Sequence, residues 1–128
     1  MAFNPNSILD STKKALGVGF DYDAFDHDII MHINSVFATL NGLGIGPEEG
    51  FAIEDEHDLW DTFLGSDKRY NSVKTYLFLK VRYVFDPPAT SFVLTAMKEQ
   101  IAELEWRLNV LRENDQWGTR VDVVVPNT

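Results

Sequence analysis

The chain predicts an all-α fold: a compact bundle of about five helices with a long C-terminal helical hairpin and an extended C-terminal tail. Three observations point there. Apolar residues recur at steps of three and four along most of the chain, and breaks rich in Gly or Pro separate the periodic segments. The densest apolar region, Tyr70 to Glu113, holds two helical patterns that meet at Asp86-Pro87-Pro88. By this reading residues 1–114 form the helical unit and 115–128 the tail.

The first helix is short, capped by Asn6 or Ser7 and ending at Leu16. Lys13 and Lys14 sit near its C-terminus, where the helix dipole favours cations, and Gly17 stops it. A second helix opens at Asp23, with Asp26 and Asp28 adding negative charge to its first turn. Ile29, Ile33, Val36, Leu40 and Leu43 step by four and three along one face, which Ile30 and Phe37 widen. The run Asn41-Gly42-Leu43-Gly44-Ile45-Gly46-Pro47 breaks that helix, and a loop follows to Glu54. Asp55, with Asp58 three residues on, starts a short third helix that groups Leu59, Trp60 and Phe63 before Gly65; Trp60 reads as a core anchor.

The fourth helix runs from about Asp67 to Phe85. Val73, Leu77, Val81 and Val84 share a face, while Tyr76, Phe78, Leu79, Tyr83 and Phe85 make the helix apolar nearly all round, as suits a central element. A buried strand is the alternative, which length and spacing argue against. Pro87 disfavours helical geometry at Asp86 and forces a corner. The fifth helix, Ala89 to Asn114, is about 39 Å long at ~1.5 Å per residue. Met97, Ile101, Leu104, Leu108 and Leu111 form its seam, and Glu103 and Arg107 an i, i+4 pair, so it folds back on the fourth as a hairpin. Beyond it, Arg120 to Val125 is β-prone with no second strand to join. It is either disordered or adds to a partner's sheet edge.

Composition narrows the function. With 128 residues the chain is one domain's worth. Its 45% apolar and 24% charged residues are those of an ordinary globular protein, with no run long enough for a membrane span. The first six residues lack the pattern of a signal peptide, and zero cysteines exclude disulfides and thiolate chemistry. A net charge of -9 argues against gripping nucleic acid. The distribution is sharper: Ala15 to Asp67 contains twelve acids and no Lys or Arg, whereas Lys68 to Phe85 contains five bases and no acid. Either the basic helix neutralises its neighbours within the subunit, or opposite patches of identical subunits meet head to tail. The candidates for such an interface are Lys68, Arg69, Lys74, Lys80 and Arg82 against Glu54, Asp55, Glu56, Asp58 and Asp61.

No catalytic constellation is present in the sequence. His27, His32 and His57 do not form an i, i+4 metal-ligand pair, the glycines at 42, 44 and 46 follow a helix and lack the phosphate-loop ending, and the acidic run 54–58 lacks the calcium-loop pattern. No serine lies in a nucleophile motif. No enzyme activity, cofactor or metal is expected.

Four segments in order resemble the head-tail connector, or adaptor, proteins of tailed bacteriophages. They are Asp23-Ala24-Phe25-Asp26-His27-Asp28-Ile29-Ile30-Met31-His32-Ile33-Asn34-Ser35-Val36-Phe37, Gly46-Pro47-Glu48-Glu49-Gly50-Phe51, Phe85-Asp86-Pro87-Pro88 and Leu104-Glu105-Trp106-Arg107-Leu108-Asn109-Val110. The resemblance covers roughly residues 7 to 111 and does not extend to the tail. It implies a structural virion protein that assembles in the host cytoplasm as a ring, of about twelve copies, beneath the portal. Such a ring extends the DNA channel, passes DNA without specific binding, and offers a docking surface to neck or tail-completion proteins. If the tail docks on the portal, Val121, Val123 and Val125 share one side of a strand, Arg120 and Asp122 the other, with Trp117 as anchor.

Two other readings compete. One is a helical DNA-binding or regulatory module using the basic helix 68–82 on phosphate. The other is a small hydrolase-like enzyme with paired carboxylates such as Asp58 and Asp61.

Overall fold

The structure, a computed structural model, describes residues 2–65 and 71–124, with side chains described as far as residue 113, Arg112 apart. Five helices appear among them, in the order α1 (Ile8–Leu16), α2 (Asp26–Gly42), α3 (Trp60–Leu64), α4 (Ser72–Phe85) and α5 (Ser91–Val124). The all-α expectation holds for these residues.

The ends of α1 follow from its sequence. Ser7 takes extended backbone geometry, and its Oγ accepts from the Asp10 amide at 3.1 Å, satisfying a donor that the first turn leaves unpaired. At the other end Gly17 adopts φ 80°. Its N–H donates to the Lys14 carbonyl and that of Val18 to the Lys13 carbonyl, so the last carbonyls of the helix are closed off by a left-handed glycine.

Helix α2 begins at Asp26, three residues later than Asp23 suggested. Asp23 contributes its backbone carbonyl, which accepts from the Asp26 amide at 3.2 Å, and Phe25 occupies the cap position without a side-chain hydrogen bond. Residues 23–26 therefore form a turn that leads into the helix. Ile29, Ile33, Val36, Phe37 and Leu40 are buried as the periodicity required. Past Gly42 the chain crosses the bundle as a loop. Asn34 fixes it from α2: the Ile53 amide donates to Oδ1 at 2.7 Å, and Nδ2 donates to the Ile53 carbonyl at 3.1 Å. Ile45 and Ile53 enter the core, and Phe51 packs on Phe37 and Phe63.

Helix α3 starts at Trp60 rather than at Asp55. The Asp58 carboxylate accepts from the Glu54 and Asp55 amides at 2.7 and 3.3 Å, so these acids build a turn ahead of the helix. A single antiparallel bridge, Ser7 to Leu59, ties this turn to the start of α1, with Ile8 N–H on the Asp58 carbonyl and Trp60 N–H on the Asn6 carbonyl. Trp60 is buried, and its indole N–H donates to Ser11 Oγ at 2.9 Å.

Helix α4 is central, touching α1, α2 and α5. Val73, Tyr76, Leu77 and Val81 are fully enclosed. Val84 was expected on that buried face but is 54% exposed, while Tyr83 and Phe85 on either side of it pack against the core. Asp86 leaves helical geometry at φ -150° and ψ 70°, as the two prolines after it demand. Helix α5 then returns antiparallel to α4: Lys98 lies over Tyr83 and Glu105 bonds Tyr76, so α5 numbers rise as α4 numbers fall. Met97, Ile101, Leu104 and Leu108 form the buried seam.

The expected change to an extended tail at residue 115 is not what the backbone does. Helix α5 continues to Val124. Once a helix exists, each further residue adds a hydrogen bond, and this outweighs the modest penalty of β-branched residues. Positions 121 and 123, which share one side of a strand, lie about 200° apart around a helix. Val125 and residues 66–70 lie outside the described residues.

Candidate interaction surfaces

The cations of α4 are held in several different ways. Lys74 is half-buried with its Nζ 5.5 Å from the Trp60 ring centroid. Lys80 lies 3.7 Å from Glu105 Oε2 and 5.9 Å above the Tyr76 ring. Arg82 is half-buried, and its Nε is enclosed without a hydrogen-bond partner. Part of the basic helix is thus neutralised or stacked inside the subunit. Lys68 and Arg69 belong to the residues that are not described.

Glu105 is the junction of the hairpin. Its Oε2 accepts from the Tyr76 hydroxyl at 2.7 Å as well as facing Lys80. Burial pushes the Tyr76 hydroxyl well above the usual tyrosine range, and the hydrogen bond to Glu105 and the carboxylate's charge push it further.

The acidic candidates form a loop around α3. Glu54, Asp55 and Asp61 are exposed, and Glu56 and Asp58 half-buried. Asp58 is spent on the turn described above. Asp55 Oδ1 accepts from the His57 amide at 2.8 Å and faces its ring Nδ1 at 3.4 Å, while Asp61 accepts from Asn6 Nδ2 at 3.2 Å. Asp55, Glu56 and His57 bring ligand atoms within 4.8 Å of one another, a common arrangement of exposed acids. Nearby, a cavity of about 520 Å³ is bordered by Asp10, Lys13, Asp26 and Glu56. Lys13 is 1% exposed, its Nζ 2.7 Å from Asp26 Oδ1 and donating to the Phe20 carbonyl at 3.0 Å.

Sequence reasoning missed the exposed aromatic groups. Phe92 is 82% and Trp106 66% exposed on α5, and Tyr22 and Phe25 stand out from the turn before α2. Tyr22, Phe25, Phe85 and His32 form a chain of ring contacts with centroids 5.5 to 6.4 Å apart. The available signal was position: Phe92 and Trp106 fall off the α5 seam, and Tyr22 and Phe25 precede the periodic part of α2. Trp117, Arg120, Val121 and Val123 lie on the C-terminal stretch of α5. No described helix is long and apolar enough to cross a membrane.

The described surface is that of a small helical bundle with exposed aromatic rings on α5 and ahead of α2, features common in proteins that work by contact with partners. The family model for phage connector proteins matches residues 8–115, and the chain belongs to that family. No curated protein and no solved structure was found to match it. Membership gives the chain a structural role in a phage particle, in company with other head or tail proteins of the virion.

Proposed function

We propose that this protein is a head-tail connector subunit that forms a ring beneath the portal, extends the DNA channel and presents a docking surface to the neck or tail. Membership of the connector family across residues 8–115 is the observation that carries the reading. The charge division supports it, since unlike patches on one subunit suit head-to-tail contacts that close by rotation. An acidic lumen suits a channel, because it offers DNA few cations to hold. Lys68, Arg69, Lys74, Lys80 and Arg82 on one side and the acids of residues 54–61 on the other are the proposed contact groups between subunits. The alternative use of the basic helix on DNA is disfavoured by the net charge of -9, since the acidic remainder of the chain repels phosphate.

The portal contact is assigned to Trp117, Arg120, Val121 and Val123 at the end of α5, together with Val125, which lies outside the described residues. Lys98 lies opposite Tyr83 and Glu105 opposite Tyr76, so the start of α4 at Ser72 falls level with about Asn109, and the C-terminal part of α5 outruns its principal packing partner by about 22 Å at ~1.5 Å per residue. Assembly takes place in the host cytoplasm before incorporation into the virion.

The deciding measurement is absolute mass by light scattering across protein concentration and salt, with and without portal protein, and electron microscopy of any large species. Ring-sized particles support the reading. A monomer under every condition, portal included, removes it.

A further inference from the structure

We infer that the ring closes through Tyr22 and Phe25 of one copy seated against the lysine-flanked groove between α4 and α5 of the next. This inference rests on the ring reading above and names the surfaces that meet. Tyr22 is 53% and Phe25 42% exposed, yet they are not loose: their rings touch edge-on at 5.7 Å, and Phe25 leans on Phe85 of α4 at 5.5 Å. They form a fixed aromatic knob. Asp21, Asp23 and Asp28 flank it, all exposed and without an ion pair among the described residues. Asp28 lies in the first turn of α2, three residues after Phe25 at its cap, so the carboxylate and the ring stand at the same end of the helix.

The groove has the opposite character. About 200 Å³ in volume, it is bordered by Lys80, Tyr83, Lys98, Ile101, Ala102 and Glu105. Lys98 is exposed, with its Nζ 5.9 Å from the Tyr83 ring centroid. The carboxylate in the groove, Glu105, is already committed to Tyr76 and Lys80. With Lys80 paired to Glu105, the exposed ammonium of Lys98 beside Tyr83, Ile101 and Ala102 suits an aromatic side chain surrounded by carboxylates.

Position excludes closure within one chain. The knob rests on Phe85 and the groove is bordered by Tyr83, two positions apart and so about 200° around the α4 axis. Knob and groove therefore lie on opposite flanks of the same helix. A contact between different patches on identical subunits is heterologous, the type that generates a ring when its rotation closes.

The test is assembly by analytical ultracentrifugation of the full chain, with circular dichroism as the check on folding. Tyr22→Ala and Lys98→Glu are each expected to raise the concentration needed for assembly by about tenfold or more. Asp28→Lys should weaken assembly similarly, and the pair Asp28→Lys with Lys98→Glu should recover most of the loss by restoring opposite charges. Wild-type assembly with Tyr22→Ala and Lys98→Glu assembling equally well overturns the contact and leaves the ring reading standing. Two weakened single variants without recovery in the charge-swapped pair also overturn it. A wild-type chain that never assembles, with portal protein present as well as absent, removes the ring reading and this contact with it. Loss of portal binding alone, with assembly unchanged, assigns the knob to another partner and overturns the inference.

Discussion

Single side chains decide the stability of the loop that crosses the bundle. Gly46 has φ 91°, and a Cβ there would fall 2.5 Å from the Phe63 ring. Gly46→Ala combines a left-handed backbone with a clash against a buried aromatic group, so a loss of about 1–3 kcal/mol is expected in urea unfolding. Asn34 satisfies both backbone groups of Ile53. Asn34→Ala leaves that donor and acceptor without their partner and is expected to cost about 1–3 kcal/mol, with enhanced amide exchange at Ile53 as the local signature. Tyr76 supplies a pH dependence. Its hydroxyl loses its proton less readily when folded than when unfolded, so its contribution is intact below the unfolded value of about 10 and declines as pH rises above it. Stability should therefore fall in the alkaline range, and Tyr76→Phe should flatten that fall. An unchanged alkaline slope in Tyr76→Phe would show that other groups cause it.

Among the elements, α4 and α5 have divided roles. Helix α4 is enclosed by three helices and carries the core, whereas α5 packs through its seam as far as Leu108 and then continues as helix to Val124. Removing residues 120–128 is expected to leave the thermal midpoint within a few degrees of the full chain, because among the described residues the buried core ends at Leu108. Attachment to the portal should weaken. Unchanged attachment of the truncated chain would move the portal contact to another surface. The helical continuation also alters what that contact would be: a helix end offers side chains and a few carbonyls, where a strand would offer a backbone edge.

At the scale of the whole molecule the imbalance of charge matters most. A net charge of -9, with no Lys or Arg from Ala15 to Asp67 and no acid from Lys68 to Phe85, makes the subunit self-repelling except where unlike patches meet. Assembly driven by those patches should weaken as ionic strength rises from about 0.05 to 0.5 M, over which the screening length falls several-fold. Mass measurements across that range check it, and insensitivity to salt would point to contacts that are mainly apolar. The joint charge reversal of Lys74 and Arg82 is expected to impair association more than folding. Lys74 lies over the Trp60 ring, however, so a moderate loss of stability should accompany it.

Periodicity and punctuation were legible in the chain itself. Ser7 and Gly17 bound α1, the i, i+3 and i+4 apolar steps define α2 and the α5 seam, and Asp86-Pro87-Pro88 turns the hairpin. Each is a local property, set by backbone sterics and by which residues share a face. The segments 23–37, 46–51, 85–88 and 104–110 also carry the resemblance to the connector family, whose model matches residues 8–115. Which residues face which partner depended on contacts between distant parts of the sequence. Helix α4 is apolar nearly all round, so its own pattern does not separate enclosed Tyr76 from exposed Val84; neighbouring helices make that choice. The same holds for Asn34 with Ile53, Trp60 with Ser11, and Tyr76 and Lys80 with Glu105. A side chain's charge and shape are written in the sequence, but its desolvation and its partner are fixed only when the helices pack.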